Sequence, residues 1–298
     1  MHKNLLRFIS QIRESLKYRF FYGYCNILRV LKSRQPPQVD WRPLDPTLPT
    51  LVAIARDVDM PLLAYCLRTL MINATTRPPI WLIGDSDQAC IALNHWFPNL
   101  PPDVQTFHWE TLLTELSSDY QHFIRTWLHS GYYGGYAKKF AITLAANLHA
   151  DILLTDADVL WFGDFFTPLQ QQRHQTPTIL SGQDYARTYD FEVAATLAEP
   201  QLFEGEPLNC GLVYYPQGVL VQTLTSDLLS TLLSYAAHAT CHLEQTLIAY
   251  AFWQTGGQWL SSDMIATTMS DNFRLRQRVV AHARHYAGGK HLFWRDAY

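Results

Sequence analysis

Asp156 and Asp158 are separated by a single residue, and this pair of carboxylates is the feature of the chain that most clearly suggests a site for chemistry. They follow the apolar run 152–154, and a short continuous run of this kind is typical of a strand buried on both faces. Open α/β sheets bind ligands at the carboxyl ends of their strands. Two carboxylates so close repel each other unless a cation lies between them, and their oxygens suit Mn²⁺ or Mg²⁺. The pair predicts a metal site that holds a phosphate, with a loop or a helix cap as the common alternative.

Composition limits the class of protein that carries this pair. The chain has 298 residues, of which 48% are hydrophobic and 16% charged, so it can bury a sizeable core in one large domain or two small ones. It has five cysteines, an odd number, and no Cys-x-x-Cys. This usage argues against a disulfide framework or a zinc knuckle and favours core residues in a reducing compartment, which we expect to be the cytoplasm.

Positive charge is concentrated at the amino terminus. Residues 1–35 contain eight Lys or Arg and one acid, a charge of +7, whereas the remainder carries −10. Apolar residues at positions 5, 8, 9, 12 and 16 fit one helical face. Such a helix can lie on an anionic membrane surface or pack on the body of the protein, and the sequence leaves both alternatives open.

Nucleic-acid binding, a membrane span and a signal peptide fit this segment less well. The acidic remainder argues against a nucleic-acid partner. No apolar stretch approaches the roughly 20 residues of a spanning helix, and charges interrupt any signal-peptide pattern. Five prolines between residues 36 and 49 mark a link. We therefore divide the chain into residues 1–45, a basic amphipathic helix with a proline-rich linker, and residues 46–298, the domain that contains the aspartate pair.

The body begins with an alternation of strands and helices. Apolar runs at 51–55 and 80–83 and a third segment at 104–109 predict strands, and residues 61–73 and 86–96 have helical spacing. This order is typical of a βαβ sheet. Neither a Gly-x-Gly-x-x-Gly nor a Walker motif follows the first strand. We therefore expect a metal, rather than a glycine-rich helix start, to hold the phosphate.

A glycine- and tyrosine-rich stretch, residues 131–136, comes before the aspartate strand. It predicts a flexible loop, followed by a helix from about Ala137 to Leu148. Lys138 and Lys139 would then lie in the first turn, where the helix dipole disfavours cations. The two lysines therefore need either full solvation or an anionic partner such as a diphosphate.

Four segments in order resemble one family. The run from Tyr136 to Leu169 resembles the core of the retaining glycosyltransferases of GT-A fold, the glycogenin-like and lipopolysaccharide galactosyltransferase-like enzymes. Downstream, residues 208–215 resemble the family's Asn-x-Gly strand, residues 242–247 its Asp-Gln helix start, and residues 285–290 its terminal His-x-x-Gly-x-x-Lys. The fold this implies is α/β, a GT-A (Rossmann-like) mixed sheet flanked by helices, with the basic helical extension before it.

The resemblance also implies a site. The metal, Mn²⁺ or Mg²⁺, would be held by Asp156, Asp158 and His285. The expected catalytic residues are Glu244, Gln245 and Asp184. The expected nucleotide-sugar contacts are Ala55, Asp57, Lys139, Asp156, Ala157, Asn209, Gly211, Gly288 and Lys290. The donor would be a nucleotide-diphosphate sugar, UDP-linked as is usual in the family, and the acceptor a glycan or a lipid-linked sugar.

The chain departs from the family pattern at several positions. Glu244 stands where the family usually has aspartate, which moves the carboxylate by about 1.5 Å, the length of one carbon–carbon bond. The terminal motif is one residue shorter before Lys290. Two alternatives therefore stay open beside a retaining transferase: an inverting GT-A enzyme with Asp184 as its base, and a non-catalytic, membrane-associated binding protein on a degenerate transferase fold.

Overall fold

The computed structural model describes residues 19–130, 134–267 and 281–297. We number a helix at residues 19–32 as α1. The next elements are β1 (Thr50–Ala55), α2 (Met60–Asn73), β2 (Ile80–Gly84), α3 (Asp87–Trp96), β3 (Val104–His108), α4 (Trp109–Leu113), α5 (Ser118–His129), α6 (Gly134–His149), β4 (Ile152–Thr155), β5 (Val159–Trp161), α7 (Phe166–Gln175) and β6 (Leu180–Gln183).

The second half alternates short helices with strands. Its elements are α8 (Phe191–Leu197), α9 (Gln201–Glu204), β7 (Leu208–Tyr215), α10 (Val219–Thr223), α11 (Ser226–Thr231), α12 (Leu233–Ala236), α13 (Leu243–Gln254), β8 (Gln258–Trp259), β9 (Ile265–Thr267), β10 (Ala283–His285) and α14 (Lys290–Asp296).

The main sheet has seven strands in the order β3-β2-β1-β4-β7-β6-β8. The first four are parallel, β7 runs antiparallel to β4 and to β6, and β8 is parallel to β6. The predicted mixed α/β sheet is therefore confirmed. The three predicted amino-terminal strands form one side of it, and their carboxyl ends all reach the same edge.

Successive residues of each central strand face opposite sides of the sheet, as strand geometry requires. On β4, Leu153 packs with one buried cluster, which includes residues of α2, α3 and α14, whereas Ile152 and Leu154 pack with the other, formed largely by α4, α5, α6 and α13. Every residue of β4 is buried. This double covering explains why the strand reads as a continuous apolar run rather than as an alternating one.

A three-stranded sheet, β5-β10-β9, continues from the end of β4. Residues 156–158 connect the two sheets. The amide of Asp156 donates to the carbonyl of Gly211 on β7 at 2.7 Å, and the carbonyl of Asp158 accepts from the amide of Tyr286 at 3.0 Å. Since β10 pairs with β5, with His285 opposite Val159, the fold brings His285 beside the two aspartates.

Helix α6 begins earlier than the sequence predicts. Gly134 and Gly135 are helical rather than part of a loop, so Lys138 and Lys139 lie in the second turn and not the first. The prediction of a first-turn position was wrong because it treated both glycines as loop residues, whereas a helix tolerates a glycine at a cost of about 1 kcal/mol. Residues 131–133 of the predicted loop lie outside the described residues.

Helix α1 packs on the body with one of its faces. Cys25 is fully buried, and Phe21 and Leu28 contact the cluster that contains α14. The Lys32 ammonium donates to the carbonyls of Trp294 and Ala297. The predicted amphipathic positions between 5 and 16 lie outside the described residues. Among the helices that are described, none is long and apolar enough to cross a membrane.

Candidate active site

An open cleft of about 870 Å³ lies at the carboxyl edge of the parallel strands. It gathers residues from β1, α6, the 156–158 link, β7, the start of α13 and the segment 285–290. Twelve residues expected from the sequence line it: Ala55, Lys139, Asp156, Ala157, Asp158, Asp184, Gly211, Glu244, Gln245, His285, Gly288 and Lys290.

Three of these residues form a potential metal-binding group. Ligand atoms of Asp156, Asp158 and His285 all lie within 4.8 Å of one another. His285 Nε2 is 3.4 Å from Asp158 Oδ1 and 3.7 Å from Asp156 Oδ2. Adjacent ligands of an octahedral ion with bonds of about 2.1 Å lie roughly 3 Å apart, so a small contraction would suit one ion. Two carboxylates and an imidazole are a donor set that fits Mn²⁺, and less readily Mg²⁺.

Charge around Asp158 agrees with this fit. Asp158 is buried, and burial alone would disfavour its ionised form. The hydrogen bonds and charges of His285 and Lys290 outweigh burial and hold the pKa of Asp158 at about 2. The same proximity acts on the histidine: burial by itself lowers the pKa of His285, but Asp158 and Asp156 raise it above its usual range. His285 and Lys290 therefore supply positive charge to Asp158, as a bound metal ion also would.

Lys139 is buried beneath the pair, where it lines the floor of the cleft. Its ammonium is 2.8 Å from Asp156 Oδ1 and 3.5 Å from Glu244 Oε1, and it donates to the carbonyl of Cys210 at 2.9 Å. Although burial opposes the charge, the two carboxylates raise the pKa of Lys139 well above its usual range. With three partners for its three donors, this lysine holds the two carboxylates in place.

Lys290 differs from Lys139 in exposure. Its side chain is 49% exposed and its ammonium lies 3.2 Å from Asp158 Oδ2 and 3.9 Å from Asp59 Oδ1. Asp59 in turn pairs with Arg56 at 2.7 Å. This line of charges leads from the metal group to the end of β1. A half-exposed ammonium at the end of such a line is able to reach an anion in the cleft.

Asp184 and Gln245 contact each other in the lining of the cleft. Gln245 Nε2 donates to Asp184 Oδ2 at 3.2 Å and to the carbonyl of Leu208 at 3.0 Å, while Gln245 Oε1 accepts from the hydroxyl of Thr188. The amide is therefore fully paired and fixes the carboxylate. Burial raises the pKa of Asp184 above its usual range.

Glu244 occupies the first turn of α13 and lines the same cleft. Burial raises the pKa of Glu244, although the Lys139 charge opposes the shift. The helix start favours an anion there. Burial thus disfavours the charge of both Glu244 and Asp184, and at Glu244 the Lys139 ammonium opposes this effect.

Two residues expected from the resemblance lie elsewhere. Asp57 belongs to a 3₁₀ turn at Asp57–Asp59, is exposed, and is absent from the cleft lining. The turn presents Asp59 to the cleft instead, because two positions along a 3₁₀ turn rotate the side chain by about 240°. Asn209 is fully buried behind the lining, where it meets the ring of His285.

Thirteen further lining residues were not predicted, among them Asp85, Tyr136, Cys241 and His242. Asp85 follows β2, and Tyr136, Cys241 and His242 border the cleft near Glu244. The sequence held a signal for Asp85, which follows an apolar strand as Asp156 does. It held none for Cys241 and His242, because only packing of α13 against β7 brings their loop to the cleft.

Known proteins are similar to this chain in structure rather than in sequence. No family model and no curated protein sequence matches it. Among solved structures, the chain is similar to mouse xyloside xylosyltransferase 1 in its apo form, with a TM-score of 0.55 and 10% identity over 80% of this chain and 97% of that one.

A second similar structure is the galactosyltransferase LgtC in complex with donor and acceptor sugar analogues. The TM-score is 0.52 and the identity 14%, over 80% of this chain and 87% of that chain. An active-site mutant of the same enzyme is similar at a TM-score of 0.53 and 12% identity. Sequence identities this low bear only on architecture. The similar structures confirm the fold that the resemblance implied: the chain has the GT-A fold found in glycosyltransferases.

Proposed function

We propose that this protein is a metal-dependent glycosyltransferase that moves a sugar from a nucleotide-diphosphate donor, a UDP-sugar, to a glycan or a lipid-linked acceptor. The observation that carries the proposal is the convergence of Asp156, Asp158 and His285 in the cleft, next to the half-exposed Lys290. The GT-A fold supports it, since the solved structures of that fold include one with donor and acceptor sugar analogues.

Departure of the nucleotide builds negative charge on the diphosphate. Asp156, Asp158 and His285 would hold a Mn²⁺ or Mg²⁺ ion, which when bound would supply positive charge against the departing diphosphate. Lys290 would leave Asp158 and contact a phosphate oxygen, since its long side chain is half exposed. Gly288 has no side chain, so the backbone can approach the same phosphates closely. Ala55 and Ala157 are small lining residues that leave room for the nucleoside and the sugar.

Glu244 would act on the sugar. Its carboxylate lies in the cleft beside the metal group, and Lys139 favours its charge. A carboxylate at that place would stabilise the positive charge that develops on the anomeric carbon as the donor bond breaks. We expect retention of configuration. Mass spectrometry of the enzyme during turnover distinguishes a covalent glycosyl-enzyme from front-face attack, which leaves the protein unmodified.

An inverting reaction is a second candidate, and one observation favours it. Asp184 lines the same cleft, is held in place by Gln245, and has a pKa raised by burial, which suits a general base that must accept a proton near neutral pH. The two reactions differ in their product. An α-linked donor gives an α-linked product with retention and a β-linked product with inversion, and NMR of the product distinguishes them.

The function is tested by donor hydrolysis. The protein is incubated with a panel of nucleotide sugars and Mn²⁺, and release of the nucleotide is measured. We expect release with at least one UDP-sugar, and none from Asp158→Asn, whereas Asp57→Asn, an exposed aspartate outside the cleft, should behave as the wild type. If no donor is hydrolysed, titration calorimetry with UDP in the presence and absence of Mn²⁺ measures whether the cleft binds the nucleotide through a metal; absence of any UDP binding overturns the proposal.

We also propose a membrane-surface partner and a cytoplasmic, peripheral location. The outer face of α1 carries four large exposed side chains at helical spacing, Phe20, Tyr24, Ile27 and Leu31, with exposures of 78%, 53%, 60% and 59%. Residues 19–39 contain Arg19, Arg29, Lys32 and Arg34 and no acid. An apolar stripe with basic neighbours suits an anionic lipid surface. Helix α1 would then pack on the body with its inner face and lie on the membrane surface with its outer face, which combines the two alternatives that the sequence left open.

A further inference from the structure

Asn209 begins a chain of hydrogen bonds behind the metal group. Its Oδ1 accepts from the backbone amide of Gly211 at 2.7 Å and lies 3.1 Å from His285 Nδ1. Its Nδ2 donates to the hydroxyl oxygen of Thr267, and that hydroxyl donates to the carbonyl of Gln183 at 3.1 Å. Asn209 is fully buried, so water does not compete for its side-chain amide, whereas the bond from Thr267 to Gln183 is exposed.

Both ends of this chain are backbone groups, which fixes its direction. An amide N–H can only donate and a carbonyl can only accept. Rotating the Asn209 side chain by 180° would place its NH₂ against the Gly211 N–H, so the oxygen must face that amide and therefore also His285. A ring nitrogen that faces an acceptor must carry the hydrogen. The neutral His285 ring then has its hydrogen on Nδ1 and its lone pair on Nε2, the atom that faces Asp156 and Asp158.

Gly211 contributes to the same arrangement by its size. It lies two residues after Asn209 on β7, so both face the same side of the strand. A Cβ added at Gly211 would overlap the His285 ring, with its Cε1, Nδ1 and Nε2 all within 2.5 Å. Within one Asn-x-Gly segment, therefore, the first residue orients the imidazole and the third leaves space for it.

We infer that the Asn209-Cys210-Gly211 segment, supported by Thr267, positions the His285 ring so that its Nε2 faces the metal; we call this segment the His285 seat. Asn209 is then a positioning residue rather than a contact of the donor sugar. The inference rests on the metal site of the proposed function. Partners that fix the tautomer of a metal-bound histidine typically change metal affinity by about 10- to 100-fold when they are replaced.

The test measures Mn²⁺ binding without any sugar donor. Protein at pH 8 is titrated with Mn²⁺ alone, and electron paramagnetic resonance reports the free ion. Asn209→Leu removes the acceptor at similar size, and we expect its Mn²⁺ affinity to fall by about 10- to 100-fold. Asn209→Asp keeps an oxygen toward both Gly211 and His285, and the Thr267 hydroxyl can turn to donate to it, so its affinity should stay within about threefold of the wild type. Thermal unfolding establishes that each variant is folded.

Each outcome has a separate meaning. If Asn209→Leu binds Mn²⁺ as the wild type does, or if Asn209→Asp is as weak as Asn209→Leu, the seat is wrong while the metal site stands. If the wild type itself binds no Mn²⁺, both the metal-dependent function and the seat are wrong. As a second readout, ¹⁵N-histidine spectra of the Mg²⁺-loaded protein, with His285 assigned by its loss in His285→Gln, should show the hydrogen on Nδ1; a hydrogen on Nε2 overturns the inference.

Discussion

The Lys139 ammonium lies 2.8 Å from Asp156 Oδ1, with only 9% of the lysine side chain exposed. The contact joins α6 to the carboxyl end of β4 and holds the first metal ligand from below. The same ammonium reaches Glu244 at 3.5 Å on α13. One buried cation thus fixes the carboxylates of two separate elements, one expected to hold the metal and the other to act on the sugar.

Replacing Lys139 should weaken the fold. Lys139→Met leaves Asp156 and Glu244 as neighbouring carboxylates without their cation, and breaking a buried ion pair by removing one partner costs about 3 to 5 kcal/mol. We expect a loss of about 3 kcal/mol in the free energy of unfolding, measured by urea denaturation. The matched control is Lys138→Met, the adjacent lysine, whose ammonium donates to the carbonyl of Asp85 outside this cluster. Equal losses in the two variants would contradict the role given to Lys139.

Replacing a metal ligand should remove activity and leave the fold. We expect Asp158→Asn to lower transfer by roughly a hundredfold or more, because the ion that neutralises the leaving diphosphate is lost. The melting temperature of the metal-free variant should not fall sharply, since an amide can still contact Lys290 and His285 through its oxygen. Full activity of Asp158→Asn in buffer that has been treated with a chelator would exclude the metal site.

Glu244→Gln should separate catalysis from binding. The charge of Glu244 is expected to act mainly in the transition state, so turnover should fall by roughly a hundredfold while donor affinity changes by less than about threefold. Steady-state kinetics at saturating donor, together with calorimetry, measure the two quantities. Should affinity collapse while saturated turnover is maintained, Glu244 is a binding residue.

The pH dependence of stability gives an independent check on Glu244. Its pKa is raised in the folded protein by burial, so between the unfolded value and the raised value the native state holds more protons than the unfolded state. Stability contributed by this group therefore falls as pH rises through that interval. Metal-free Glu244→Gln, which does not ionise, should become progressively more stable relative to the wild type as pH rises from about 4.5. Urea denaturation across the interval measures this, and a difference that shrinks with rising pH would contradict the shift.

The outer face of α1 should bind anionic lipid. Serine at positions 20, 24, 27 and 31 removes the apolar stripe without touching Cys25 or Lys32. We expect the wild type to sediment with anionic liposomes at low salt and to be partly released at high salt, since each nearby Lys or Arg contributes about 1 kcal/mol that salt screens. The serine variant should remain in the supernatant.

The control for lipid binding replaces exposed apolar residues elsewhere, Ile91→Ser with Phe191→Ser, which are 62% and 71% exposed. It should sediment as the wild type does. Deleting α1 is a poorer test, because its inner face packs on the body and the Lys32 ammonium caps the carbonyls of Trp294 and Ala297. A serine variant that stays soluble while changing from dimer to monomer would show instead that the stripe joins two copies of the chain.

Local pattern was enough for the parallel half of the main sheet, whereas the mixed GT-A sheet was expected only from the family resemblance. The buried strand that ends in Asp156-Ala157-Asp158 was predicted because an apolar run covered on both faces leaves a continuous signature in the sequence. The strand–helix alternation of residues 50–108 was predicted for the same reason. The candidate ligand His285 was singled out by the Gly-Gly-Lys after it, through the resemblance rather than through any periodicity.

Contacts between distant segments were decided by the tertiary structure alone. Pairing of β10 with β5 brings His285 to the aspartates from a distant part of the chain, and the fold buries Lys139, which the sequence placed near the start of a helix beside a diphosphate. The turn after β1 presents Asp59 in place of Asp57. Asn209 meets the histidine because the same pairing of β10 lays that ring against β7. Sequence spacing fixes which side of its own element a residue occupies, whereas its partners depend on how the elements pack, and that is a property of the whole chain.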